Sequence, residues 1–267
     1  GLAWWVERTA PAVSRASLAV AGRHLTGRVG VLVLPDPPAP TAVELADRVA
    51  PDEFAGTAPL VVGGSRGLGA TAARLLALGG ADVLVTWATD PDAAEAVVAD
   101  VRAAGGSARA ARLDVTDPAA AVAALDAAGW AGDQLHVFAS PRILRRHLEA
   151  ERPELLEELR AVHVAGPVAL VEALRTRRRG VLAVGYPSSV AVDDPPPDMR
   201  EYARAKAEAE AALTALGARW PEVRPVLRRL PRILTEQTVA FTAVPAADAV
   251  DELLPLLRGV RDAAARP

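Results

Sequence analysis

From residue 58 onward, short apolar runs alternate with longer segments whose apolar residues recur every three or four positions. Runs of five or six residues rich in Val, Leu and Ala have the length of strands buried on both faces. The longer segments have the periodicity of helices. This pattern predicts strands at 58–62, 82–87, 108–113, 134–139, 180–185 and 223–229. It predicts helices at 67–78, 91–104, 117–127, 199–217 and 246–258. A long helical region follows Pro141, broken at Pro153 and again near Gly166-Pro167. Regular alternation of strand and helix implies an α/β fold, a doubly wound Rossmann-type parallel sheet covered on both faces. Residues 58–267 are read as that domain.

Residues 1–57 read as an N-terminal extension. Ala16 to Ala21 is strand-like, Gly22 to Gly27 turn-like, and Val29 to Leu34 a second strand. A proline-rich break at 35–40 leads to a short helix capped by Thr41. The extension is either an extra hairpin or the remnant of a preceding domain. Leu2, Trp4, Trp5 and Val6 are expected to be buried, against the main domain or a second subunit. The chain opens without Met and without a basic-then-apolar leader, so it reads as a domain cut from a longer chain.

Composition narrows the function. The net charge is -3 and the basic residues are scattered, which argues against nucleic acid as the partner. There is no cysteine, hence no thiol nucleophile and no thiolate metal site; no metal ligands are assigned. No apolar run reaches the ~20 residues of a membrane helix, and the cytoplasm is the expected location. Arginine is abundant, yet Lys206 is the single lysine. A position that kept Lys where Arg serves elsewhere points to a need for an ammonium.

In a doubly wound sheet, ligands bind beyond the carboxyl ends of the strands. After the first strand comes Gly63-Gly64-Ser65-Arg66-Gly67-Leu68-Gly69. Its glycines allow a sharp turn and close backbone approach, and the helix behind aims free N–H groups at a phosphate. Tyr202 and Lys206 stand four apart at the start of a helix and share a face. An ammonium beside a phenol favours the phenolate, making Tyr202 a usable proton donor or acceptor. Ser189, from the neighbouring strand end, is placed to hydrogen-bond a substrate oxygen. Together they suit polarisation of a carbonyl beside a nicotinamide.

Residues 58–240 resemble the short-chain dehydrogenase/reductase family, most closely its 3-oxoacyl-thioester reductase-like members. The resemblance rests on the glycine turn, on Leu113-Asp114-Val115, on Ser189 thirteen residues before Tyr202, and on Tyr202-Ala-Arg-Ala-Lys206. It implies that Ser189 binds the carbonyl oxygen, Tyr202 is the general acid/base, and Lys206 holds the ribose hydroxyls. Gly63, Ser65, Arg66, Gly67, Leu68, Gly69, Asp114, Val115, Ala139, Lys206 and Thr235 are the implied cofactor-binding set. Arg66 would meet a 2′-phosphate. The second strand has no acid at its immediate end, and Asp90 lies three residues past Trp87, so NADP (NADPH) is expected and NAD is less favoured. The family's Asn-Ala-Gly motif is replaced by Phe138-Ala139-Ser140-Pro141, and its helix Asn by His163, which can still relay protons. The family's last strand is missing, and strand 29–34 is expected to cover the vacant sheet edge. The implied activity is NADP-dependent reduction of a carbonyl, here a 3-oxoacyl thioester, as in polyketide or fatty-acid biosynthesis. The partners would be a small-molecule or carrier-bound acyl substrate and further copies of the chain, or a larger multidomain chain. The alternatives are a reductase-like scaffold module that has lost turnover, or a dehydratase or epimerase on the same fold.

Overall fold

The computed structural model describes residues 1–10, 15–32, 39–141, 152–177, 180–235, 237–238 and 244–266. Two sheets are present among these residues. The larger has six parallel strands: β4 (Leu60–Val62), β5 (Asp82–Trp87), β6 (Ser107–Arg112), β7 (Gln134–Val137), β8 (Leu182–Ser189) and β9 (Val223–Leu230). Their spatial order is β6-β5-β4-β7-β8-β9. From β4 the chain winds outward to one edge, returns across the middle to β7, and winds outward to the other. The reversal lies between β4 and β7, the position at which doubly wound sheets take ligands beyond the carboxyl ends.

Helices cover both faces because the strands are apolar on both. On one side α2 (Gly67–Leu78) and α3 (Pro91–Ala103) pack with α8 (Ala249–Ala265), burying Leu75, Leu76, Val97, Val101, Leu253 and Leu257. On the other, α4 (Pro118–Ala127), α6 (Gly166–Arg177) and α7 (Arg200–Arg219) bury Leu125, Leu170, Leu174, Leu213 and Leu216. Acidic caps set two of the starts: Asp90 accepts from the Ala93 amide at 3.0 Å, and Asp117 from Ala120 at 3.0 Å. Pro91 and Pro118 follow at the first helical positions.

Three readings from the sequence change. Residues 41–57, read with the extension, pack into the main body: Leu45, Val49 and Phe54 join the core around α2, beside a short α1 (Ala42–Leu45). The strand expected at 29–34 does not cover the bare edge. Its described residues fall in β3 (Leu25–Leu32), which pairs antiparallel with β2 (Arg15–Gly22) in a separate three-stranded sheet. β1 (Leu2–Ala10) forms the other side of that sheet, and Trp4 and Trp5 are 67% and 51% exposed, so the main domain does not bury them. Backbone pairing satisfies the amides there without covering the side chains.

Candidate active site

The glycine turn is built by close approach. Gly63 has φ 76° and Gly67 φ 53°, a region that favours glycine. A Cβ on Gly63 would lie 2.6 Å from the Ala139 amide nitrogen, and one on Gly69 would lie 2.1 Å from the Gly63 carbonyl oxygen. The turn is therefore clamped between the ends of β4 and β7. Buried Thr86 on β5 pins it from below. Its hydroxyl donates to the Val61 carbonyl at 3.2 Å, while its own carbonyl accepts from Gly64 N–H at 2.9 Å. No sequence signal marked Thr86. Ser65 and Leu68 are half-buried and Arg66 is exposed at the head of α2.

The remaining cofactor-set residues lie at the ends of other strands. Asp114 accepts from both the amide (2.9 Å) and the hydroxyl (2.6 Å) of Thr116, which hold its carboxyl below the usual range. Val115 is buried, and its carbonyl lies 2.5 Å from where a Cβ on Gly166 would sit. Ala139 is half-buried against the core. Thr235 belongs to a turn closed on Thr238, whose hydroxyl accepts from the Thr235 amide at 2.8 Å. Asp90 spends its carboxylate capping α3.

Ser189, Tyr202, Lys206 and His163 are brought together. β8 runs four residues beyond the expected end, so Ser188 and Ser189 are strand residues and not loop residues. Pro187 is tolerated because β8 pairs with β7 only as far as Gly185, so at Pro187 one side of the strand is a free edge. Ser189 then caps a short turn, accepting from Ala191 N–H at 3.2 Å, and its hydroxyl lies beside Tyr202, whose phenol it influences. His163 packs edge-on against Tyr202 with ring centroids 5.8 Å apart. It sits in a π-helical turn, Ala161–Ala165, between α5 (Pro153–Arg160) and α6. Such bulges often occur at functional sites. His163 is 1% exposed, and neither ring nitrogen has a hydrogen-bond partner.

Lys206 is 5% exposed and donates to the Pro187 carbonyl at 2.8 Å. Its Nζ lies 4.4 Å from the centroid of the Tyr186 ring and 5.7 Å from that of Tyr202. Burial dominates the protonation of the group. It pushes Lys206 down to about 7, against the pull of Glu210, and Tyr202 up to about 12, against the influence of the Ser189 hydroxyl. Desolvation outweighs the lowering of the phenol expected from Lys206. Burial and the nearby Lys206 charge hold His163 well below its ordinary value, so it is neutral. Tyr186, the second tyrosine, is buried with its hydroxyl unpartnered, and its place beneath Lys206 was not foreseen.

A family model for short chain dehydrogenases matches residues 57–222. The chain belongs to the short-chain dehydrogenase family. Within it, the chain is 44% identical over 82 residues to 2,5-dichloro-2,5-cyclohexadiene-1,4-diol dehydrogenase LinX of Sphingobium indicum, covering 29% of this chain and 32% of that protein. It is 47% identical over 62 residues to Elsinochrome reductase 1 of Elsinoe fawcettii, 23% of each. The matches thus span about a third or less of these relatives' length. Among solved structures, a short chain dehydrogenase of Burkholderia cenocepacia J2315 in complex with NADP superposes with a TM-score of 0.68 at 25% identity, over 78% of this chain and 91% of that one. A dehydrogenase/reductase of Sinorhizobium meliloti 1021 gives a TM-score of 0.68 at 24% identity, over 83% and 93%. No described helix is long and apolar enough to cross a membrane.

Proposed function

We propose that this short-chain dehydrogenase is an NADP-dependent carbonyl reductase, with 3-oxoacyl thioesters as the first substrate class to test. The observation that carries the reading is the gathering of Ser189, Tyr202 and the buried Lys206 at one corner, with Lys206 Nζ 5.7 Å from the centroid of the Tyr202 ring. The clamped turn supports the cofactor half: at Gly63 and Gly69, side chains are excluded where a pyrophosphate would meet backbone N–H groups. A nicotinamide dinucleotide, when bound, supplies the hydride. The chain's own residues do the rest. Ser189 orients the substrate oxygen. Tyr202, kept neutral by burial, gives its proton to the developing alkoxide. Lys206 binds ribose hydroxyls and favours the phenolate left behind. Arg66, at the head of α2, is the residue for a 2′-phosphate, as Asp90 is committed to capping. The NADP named with the Burkholderia cenocepacia neighbour supports the same choice.

The test is NADPH oxidation with a 3-oxoacyl thioester alongside calorimetric titration with NADPH. Turnover above background supports the reading; tight binding without turnover on any carbonyl overturns it. One observation favours a second reading, a nucleotide-holding module: His163 stands at the relay position neutral and without hydrogen-bond partners. Binding without turnover is its expected result.

A further inference from the structure

Lys206 is not alone among charges. Glu210 follows it by one helical turn on the same face of α7. Its side chain is only 15% exposed. Arg229 on β9 grips that carboxylate with two hydrogen bonds, Nε to Oε1 at 2.9 Å and Nη2 to Oε2 at 2.6 Å. The third face of the same guanidinium is bound by Asp193, in the loop that follows Ser189. A bidentate pair fixes both position and direction. The groups facing Lys206 are therefore Tyr202 and Glu210 from its own helix, Tyr186 and the Pro187 carbonyl from β8, and His163 from the π-helical turn. Both tyrosines and the histidine are neutral, so Glu210 is the one counter-charge in that set.

We infer that Glu210, clamped by Arg229, is a positioning residue that keeps the Lys206 ammonium charged in its buried seat. The clamp sets how much of the carboxylate's field reaches the lysine. Glu210 opposes the burial that draws Lys206 down to about 7, and Arg229 draws that charge toward β9. The inference rests on the proposed role of Lys206, but it can be tested without nucleotide or carbonyl.

The single lysine makes the measurement direct. Protein grown with 13Cε-lysine gives one side-chain resonance, followed by NMR from pH 5 to 10. In the parent, the midpoint is expected at about 7. Glu210→Gln should move it down by roughly half a pH unit or more, because the favourable charge is gone. Arg229→Gln should move it up, because Glu210 is released and a like charge is removed. Glu210→Asp, the milder change, should also move it down, but less than Gln, and serves if Glu210→Gln does not fold. Shifts of one sign in the Glu210→Gln and Arg229→Gln variants, or none, overturn the inference. A parent that never oxidises NADPH while the opposed shifts hold removes the reductase reading and leaves this one standing.

Discussion

At the glycine turn, a single added methyl on Gly69 would sit 2.1 Å from a backbone oxygen. At the Tyr202 corner, in contrast, His163 and Tyr186 keep buried polar atoms with no partner, beside a lysine drawn out of water. The first region is fixed by shape, and its one ionisable side chain, Arg66, is exposed. The second is shaped loosely enough to leave hydrogen-bonding capacity unused, and its cost is electrostatic. The difference teaches what each kind of substitution will do. Added volume should be ruinous at the turn. At the corner, removing charge should remove chemistry while relieving the fold.

The largest effect is expected from Gly69→Ala. The Gly63 carbonyl must move, and overpacking of this kind costs about 1–3 kcal/mol. Calorimetry should find NADPH binding lost and a lower Tm. Next comes Tyr202→Phe. Removing a general acid lowers turnover by roughly 10²–10⁴. Single-turnover kinetics should show that loss while nucleotide affinity stays near the parent's. Retained turnover would break the contrast at the corner.

Lys206→Met should separate the two terms most clearly. The lysine's folded pKa, about 7, lies below its ordinary 10.5, so the folded state binds fewer protons than the unfolded one between those values. The penalty is therefore fully present below about pH 7 and relieved as pH rises toward 10.5. The Met variant should melt higher than the parent at pH 6, by on the order of a few kcal/mol, with the gain shrinking by pH 9. Turnover should be lost. Thermal melts at the two pH values check the sign; a lower Tm at pH 6 would contradict it. The smallest effect is expected from His163→Asn. A histidine held neutral well below its ordinary value loses stability as pH falls below about 6.5. The Asn variant should lack that part of the acid-side decline, seen as a flatter Tm between pH 6.5 and 5.

Much of this was legible in the chain. The inner strands β4, β5 and β8 are largely apolar runs, and the Tyr202–Lys206 spacing is local to one helix. Other features depend on what the fold brings together from afar. The sequence cannot show that Arg229 reaches back nineteen residues to Glu210, or that Thr86 pins the turn at the end of the preceding strand. The predicted strand stops at 185, yet β8 continues through Pro187 to deliver Ser189. Trp4 and Trp5 read as residues that would be covered, yet hydropathy does not say whether the main domain supplies the cover. The π-helical turn at His163 leaves no mark in composition or periodicity.

The small antiparallel sheet at the start of the chain has one further consequence. Its strands pack chiefly on one another, and none lies extensively against a helix of the larger body among the described residues. Two bodies that share so little buried surface have little reason to melt as one. Heating followed by tryptophan emission should then register an early, shallow event from Trp4 and Trp5, well before the cooperative loss of far-UV ellipticity from the helices.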